Sequence, residues 1–517
     1  MVRLNIILPD DFGKELKKVS FLLLSVFVFL SYSTAYALSK EDVDSPFGFT
    51  TSFYAPERSS NEKMLKKRKN FEFDGLPADT PPYSTALELG VKWERLSNPV
   101  LDWSFVQRDK ESIVNGRYNW EIPDNFIKRV PAGLNLVITI NANPMLLRQG
   151  GWEFITPQAK EAYIEFVKRA VERYDGDGQY DMPGLKSPVK YWQVENEPEV
   201  RVKKNRTRVR RARADFEGVR IANSEADQWR AYAEFIEITS SAVKSSDKDA
   251  KVLSGGIVSP PPQMRLELLN DFWIPIIRIL SKDAIDIFDF HWFDESIVES
   301  RSIFMMLRDA LNESGLGHVE IWITETGSSS KESERDQAIQ VVKRYIFPLG
   351  YGVKKVFWAW ALVEGWPPFD CRSMFDYTGL IYDGYCPGDP GYGIRKLAFY
   401  AYKQMTEKLK SSRLSGITVI SGGEDSIYAY RFPREDRDVY IIWSEEGLNG
   451  KSFELKAAKD SAYILTEAIP NVREGRYLNH ASKNIFNTRI LVSSGDRLSV
   501  EVSSIPVYVE GPKAEGW

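Results

Sequence analysis

Eight short apolar stretches recur between residues 47 and 362 of the 517-residue chain, and nothing constrains its fold more. They are FGFTTSF (47–53), LGVKWER (89–95), LNLVITIN (134–141), VKYWQVEN (189–196), KVLSGGI (251–257), IDIFDFHWF (285–293), VEIWITETG (319–327) and VKKVFWAWAL (353–362). Stretches of helical period separate them. In 157–174, Pro157 takes the first helical position and Ala159, Tyr163, Phe166, Val167, Ala170 and Val171 share a face. In 224–247, Trp229, Tyr232, Phe235, Ile236 and Val243 do the same. Strands alternating with amphipathic helices build a parallel sheet, and eight such units close a (β/α)8 TIM barrel. An α/β barrel is therefore expected over 45–410. That exceeds the about 250 residues typical of the fold, so some strand-to-helix loops must be long.

The pattern changes near residue 412. GITVISGG, SIYAYRF, RDVYIIWS, SFELKA, RILVSS and RLSVEVSSIPVYVEG alternate with period two between Gly and Asp turns. An antiparallel β-sandwich over 412–517 follows, read as structural packing against the barrel because Trp443 offers no aromatic strip for binding. At the other end, FLLLSVFVFLSY (21–32) follows Lys17 and Lys18 and precedes Ala35-Tyr36-Ala37, the layout of a signal peptide over 1–37. The apolar run is short for a membrane span. A secreted or periplasmic protein is expected, held at the cell surface if this segment stays uncleaved, with no membrane span in the mature chain. Export would permit a disulfide between the only two cysteines, Cys371 and Cys386, closing a loop worth roughly 3 kcal/mol. Two buried thiols are the alternative.

Composition excludes more than it selects. A hydrophobic fraction of 43% rules out a largely disordered chain, and a net charge of −4 argues against nucleic acid as a partner. Three scattered histidines, His291, His318 and His480, offer no metal-ligand spacing, and no Gly-x-Ser-x-Gly elbow, phosphate loop or dinucleotide fingerprint occurs. Chemistry without cofactor or metal remains.

Barrels carry catalytic residues at the carboxyl ends of their strands. The fourth stretch ends in Asn196-Glu197-Pro198 and the seventh in Thr324-Glu325-Thr326-Gly327. Glutamate is depleted in strands, so one that ends an apolar run must be paired, solvated or functional. In strand order and motif the chain resembles the clan A retaining glycoside hydrolases, nearest in layout to family 39. The resemblance spans the whole barrel. It implies Glu197 as acid/base and Glu325 as nucleophile, with Arg95, Asn196, His291, Trp358 and Trp360 around the sugar. One departure stands out: where the clan commonly has His-x-Tyr, this chain reads His291-Trp292-Phe293, without the phenol hydroxyl beside the nucleophile.

The residue types suit that chemistry. One carboxyl must hold a proton for the leaving oxygen while the other stays ionised. Arg95 is expected to hold Glu325 as a carboxylate, leaving Glu197 beside that charge to keep its proton. Asn196 would bond the sugar 2-hydroxyl, and alternation puts Trp358 and Trp360 on one face, one as a pyranose platform and one in the core. His291 would orient the nucleophile, bond substrate or simply pack. Eight cations between Arg201 and Arg213, and five more between Lys63 and Lys69, could steer an anionic glycan, or form a solvated flap. The expectation is a retaining hydrolase of β-linked oligo- or polysaccharides, without cofactor. A transglycosidase on the same site and a silent glycan-binding barrel are the alternatives.

Overall fold

A computed structural model describes residues 43–51, 72–73, 76–77, 83–142, 160–199, 225–259, 262–293, 297–360, 362–365, 371–445, 451–478 and 484–514. The proposed signal peptide and both basic loops lie outside them. The eight expected stretches form β1 (Phe47–Thr51), β2 (Trp93–Asp102), β3 (Asn135–Asn141), β4 (Val189–Val194), β5 (Lys251–Leu253), β6 (Ile287–Trp292), β7 (Glu320–Thr326) and β8 (Lys355–Trp358). Each pairs in parallel with its neighbours, and β1 closes the barrel against β2 and β8. β3, β6 and β8 are buried along their whole length, as strands covered on both faces must be.

Two strands differ from their apolar stretches. β2 runs on to Asp102, with a register shift between Leu96 and Leu101. β5 stops at Leu253, because Ser254-Gly255-Gly256 leaves the ladder before pairing resumes as a bridge from Ile257 to Phe290. Eight main helices follow the strands in turn: α1 (Tyr83–Glu88), α2 (Glu121–Ile127), α3 (Lys160–Tyr174), α4 (Glu225–Ser246), α5 (Ile274–Ile279), α6 (Ile297–Glu313), α7 (Glu334–Gly350) and α8 (Leu397–Leu409). α3 buries Tyr163, Phe166, Val167, Ala170 and Val171, the stripe its spacing predicts.

The barrel interior is layered. At its amino-terminal end Trp93 meets Tyr191 and Trp322 edge-on at 4.8 and 4.9 Å, and Phe357 completes an aromatic plug. The Phe357 ring lies so close to β1 that a Cβ on Gly48 would stand 2.6 Å from it. Above the plug the interior turns polar: Thr50, Arg95, Thr139, Gln193, Asp289 and Thr324 are all buried there. This middle layer carries the site.

The carboxyl-terminal strands are β9 (Thr418–Gly422), β10 (Ile427–Pro433), β11 (Asp438–Ser444), β12 (Ser452–Lys456), β13 (Ala462–Glu467), β14 (Thr488–Val492), β15 (Arg497–Glu501) and β16 (Val507–Gly511). Six form one antiparallel sheet in the order β9-β10-β11-β16-β13-β14, and β12 pairs with β15 in a second. Ala429, Tyr440, Ile442, Leu465 and Val509 of the larger sheet share a core with Leu455, Leu498 and Val500 of the smaller, which makes the unit a sandwich. The opposite face, with Tyr428, Tyr430, Trp443 and Tyr508, joins the barrel's own core. Trp443 is fully buried, stacked on Tyr428 and Tyr430.

Gly48→Ala should push the aromatic plug apart. We expect a loss of about 2 kcal/mol in urea denaturation, the usual scale of overpacking, with part recovered in the double variant carrying Phe357→Leu. Unchanged stability in Gly48→Ala would contradict this packing.

Candidate active site

β4 ends in a turn that ordinary side chains resist. Glu195 (φ 65°) and Glu197 (φ 43°) both take left-handed backbone conformations, which cost about 1–3 kcal/mol each unless the surroundings enforce them. The surroundings do. Glu195 Oε1 accepts from the Ala142 amide at 2.8 Å, bolting the turn to the end of β3. Glu199 Oε1 accepts from the Val258 amide at 2.6 Å and from the Trp273 indole at 3.3 Å, bolting it to the segment beyond β5. Between these anchors Asn196 and Glu197 face the barrel mouth.

The Arg95 guanidinium organises the interior. It has no solvent exposure and donates to Gln193 Oε1 at 2.7 Å, Glu325 Oε1 at 2.6 Å and Asn196 Oδ1 at 2.5 Å. Gln193 also accepts from Thr139 Oγ1 at 2.8 Å, and its amide nitrogen donates to Asp289. His291 stands between the two glutamates, Nδ1 lying 2.9 Å from Glu197 Oε1 and 3.4 Å from Glu325 Oε2. One oxygen of each glutamate and a nitrogen of His291 lie within 4.8 Å of one another. The Glu197 side chain is 23% exposed and that of Glu325 only 2%, so solvent reaches the first and not the second.

Charge and burial act on these groups in opposite directions. Burial pushes the Glu325 carboxyl up, the cations His291 and Arg95 pull it back, and Glu197 pushes it up again, with a net upward shift. Arg95 thus makes the contact expected from the sequence, but burial, which the sequence does not display, opposes it. Burial would depress His291, yet Glu325, Asp289 and Glu197 outweigh it and push the imidazole up to about 10. Asp289 is also penalised by burial, but hydrogen bonding to His291, the charges of His291 and Arg95, and Thr324 hold it below the ordinary range. Two cations, Arg95 and His291, then face Asp289 and two glutamates. The cluster is electrically neutral when the two glutamates together carry one proton.

Of the two tryptophans, Trp358 is fully buried, its indole donating to Thr378 O at 2.8 Å. Its place is the core, which corrects its inclusion among the sugar contacts. β8 ends at Trp358, so Trp360 lies beyond the strand and the two do not share a face by alternation. The Ala359–Trp360 peptide bond is cis, and the half-buried Trp360 ring meets Phe375 edge-on at 6.1 Å. The loop that carries Phe375 is tied down by a Cys371–Cys386 disulfide and by Tyr377, whose hydroxyl donates to Cys371 O at 3.0 Å. Phe293 also packs on Phe375, 5.2 Å away, at the position where the clan motif has tyrosine.

Sequence reasoning missed Gln193, Asp289, Thr324 and Glu199. The first two had a signal: each is a polar residue inside a largely apolar strand, and Asp289 lies two positions from His291, on the same face. Glu199 had none, because its partners Val258 and Trp273 come from the segment between β5 and α5, far along the chain.

Neither a protein-family model nor a curated protein matches the sequence. Solved structures share the fold. A family 39 glycoside hydrolase from Bacteroides cellulosilyticus aligns with a TM-score of 0.55 at 14% identity over 91% of this chain and 81% of that one. A glycoside hydrolase family 30 endoxylanase from Clostridium papyrosolvens aligns at 0.51 and 11%, covering 90% and 96%. An α-L-arabinofuranosidase from Thermotoga maritima aligns at 0.50 and 11%, also covering 90% and 96%. The barrel with an appended β-sandwich is thus an architecture these glycoside hydrolases have in common with the chain.

Burial pushes the Glu199 carboxyl up to about 8, and its Oε2 has no hydrogen-bond partner among the described residues, as suits a neutral acid. The raised folded-state value means that its contribution to stability is complete below the ordinary value of 4.5 and is lost as pH rises through about 8. Glu199→Gln cannot ionise. Relative to wild type, its melting temperature should rise by a few degrees between about pH 5 and pH 8. Parallel profiles would show that Glu199 is not held as the neutral acid.

Proposed function

We propose that the protein is an exported retaining glycoside hydrolase acting on β-linked oligo- or polysaccharides, with Glu325 as nucleophile and Glu197 as acid/base. The observation that carries this reading is the pair of carboxyl groups just past β4 and at the end of β7, with oxygens within 4.8 Å, joined through His291, and with Arg95 on Glu325. Carboxyls about 5–5.5 Å apart suit two displacements, whereas inversion needs about 6.5–9.5 Å to admit water between them. Export is supported by the apolar segment before Ala35-Tyr36-Ala37 and by the disulfide.

In the first displacement a Glu325 oxygen attacks the anomeric carbon while the bond to the leaving oxygen breaks and that oxygen takes the proton of Glu197. In the second, water gives a proton to Glu197 and its oxygen displaces Glu325, which leaves as a carboxylate. The solvent access of Glu197 fits its exchange of protons with leaving group and water. The shielding of Glu325 fits a group that reacts only with carbon. Arg95 occupies Asn196 Oδ1, so the amide nitrogen of Asn196 is the atom offered to the sugar 2-hydroxyl. Trp360 is the platform for a sugar face. A preference for anionic glycans is the finer reading and rests on the sequences 63–69 and 201–213 alone.

The test is release of reducing ends by residues 38–517 from a panel of neutral and anionic β-linked glycans, with the anomer first formed read by proton NMR. Wild type should act on at least one member with retention, and Glu325→Gln should lose at least about a thousandfold. Added salt should weaken activity on anionic members if the basic loops engage them. Folded protein silent across the panel would favour a binding role, and an inverted product would contradict the double displacement.

A further inference from the structure

Both ring nitrogens of His291 face acids. Nδ1 lies between Glu197 and Glu325, while Nε2 is 3.5 Å from Asp289 Oδ2 and 3.3 Å from Thr324 Oγ1. A neutral imidazole offers one donor and one acceptor. The Thr324 hydroxyl settles the Nε2 side, because its hydrogen goes to Asp289 Oδ2 at 2.6 Å and leaves it only an acceptor toward the ring. Nε2 therefore carries hydrogen. On the other side a bare Nδ1 would set its lone pair against whichever glutamate is ionised.

Asp289 supplies the charge that lets the ring hold both protons. It is fully buried, two residues before His291 on β6, and accepts from the Thr324 amide at 3.0 Å, from the Thr324 hydroxyl and from the Gln193 amide. Three donors keep it an anion, and a buried anion needs a cation beside it. We propose that Asp289 is a positioning residue that keeps His291 doubly protonated, so that Nδ1–H is a fixed donor to whichever of Glu197 and Glu325 carries the negative charge. The inference rests on the reading of these glutamates as a catalytic pair.

During the first displacement the anion is Glu325 and the donor serves it. Once Glu325 is esterified its charge is gone, Glu197 has become the carboxylate, and the same N–H serves Glu197. No proton leaves the ring: the leaving group takes its proton from Glu197, and water returns one there. Among the described residues, the charged groups around the imidazole are Glu325 on β7, Glu197 beyond β4, Asp289 on β6 and Arg95 on β2, behind Glu325. From beyond β5 comes the backbone of Gly256, where a Cβ would stand 2.0 Å from Nε2. Gly256 closes the ring in without adding charge.

The chain's three histidines make the ring state measurable by nitrogen NMR of the labelled 38–517 protein, with His291→Gln assigning the signal. Wild-type His291 should show the imidazolium pattern at both nitrogens through about pH 8. In Asp289→Asn it should become neutral below that, and activity should fall at least about tenfold at pH 8 while recovering near pH 5.5, a shift that simple loss of packing would not produce. A wild-type His291 that is neutral at pH 7, with hydrogen on Nε2 alone, overturns the proposal even if the variant does not fold. So does an Asp289→Asn protein whose ring stays charged to pH 8. A charged wild-type ring in a protein that cleaves no glycoside supports the assignment of Asp289 and overturns the hydrolytic reading alone.

Discussion

A guanidinium buried at the centre of a barrel is the constraint on which the rest of this structure turns. Arg95 cannot shed its charge and has no water to satisfy it, so its donors must find acceptors within the interior. They find three, on Gln193, Asn196 and Glu325. From there the network closes on itself: Gln193 donates to Asp289, Asp289 faces His291, and His291 faces the second oxygen of Glu325. The members come from β2, β4, β6 and β7, so the ring forms only when those strands stand in register. Removing one partner would leave a charge without its counterpart, which is why such networks are fully satisfied or absent.

The layers on either side make this interior affordable. Below, the plug of Trp93, Tyr191, Trp322 and Phe357 excludes water and supplies apolar burial. Above, the strained turn after β4 presents Asn196 and Glu197, and its two left-handed residues persist because Glu195 and Glu199 tether it to neighbouring segments on both sides. Three glutamates at alternate positions therefore do different work. The outer two fix backbone, and the middle one faces the mouth. Chemical identity does not separate them; burial and partners do.

Much of this was legible in the sequence, for reasons that particular residues show. The eight strands were visible because strands covered on both faces read as unbroken apolar runs, and α3 because its buried stripe keeps helical period. Glu197 and Glu325 were visible because a carboxylate closing such a run is out of place. In the sandwich, β12, β13 and β15 alternate because one of their faces is exposed, whereas β10 and β11 are buried on both faces, one toward the smaller sheet and one toward the barrel, and which face does which could not be read. Gln193 and Asp289 left only the trace of a polar residue in an apolar run, a trace that a satisfied core residue leaves as well. Trp358 and Trp360 were placed on one face by alternation, but β8 ends before alternation reaches Trp360. The upward shift of Glu325 depends on burial by the whole barrel, which local sequence does not encode.

The central claim, that Glu325 forms a covalent bond to sugar, is tested most directly by mass spectrometry of the protein after incubation with a panel of activated 2-deoxy-2-fluoro glycosides, which form the intermediate but hydrolyse slowly. The account predicts the mass increase of one sugar per chain, on the peptide that contains Glu325 and absent from Glu325→Gln. A label on Glu197, or turnover of an unfluorinated glycoside that Glu325→Gln retains in full, would contradict it.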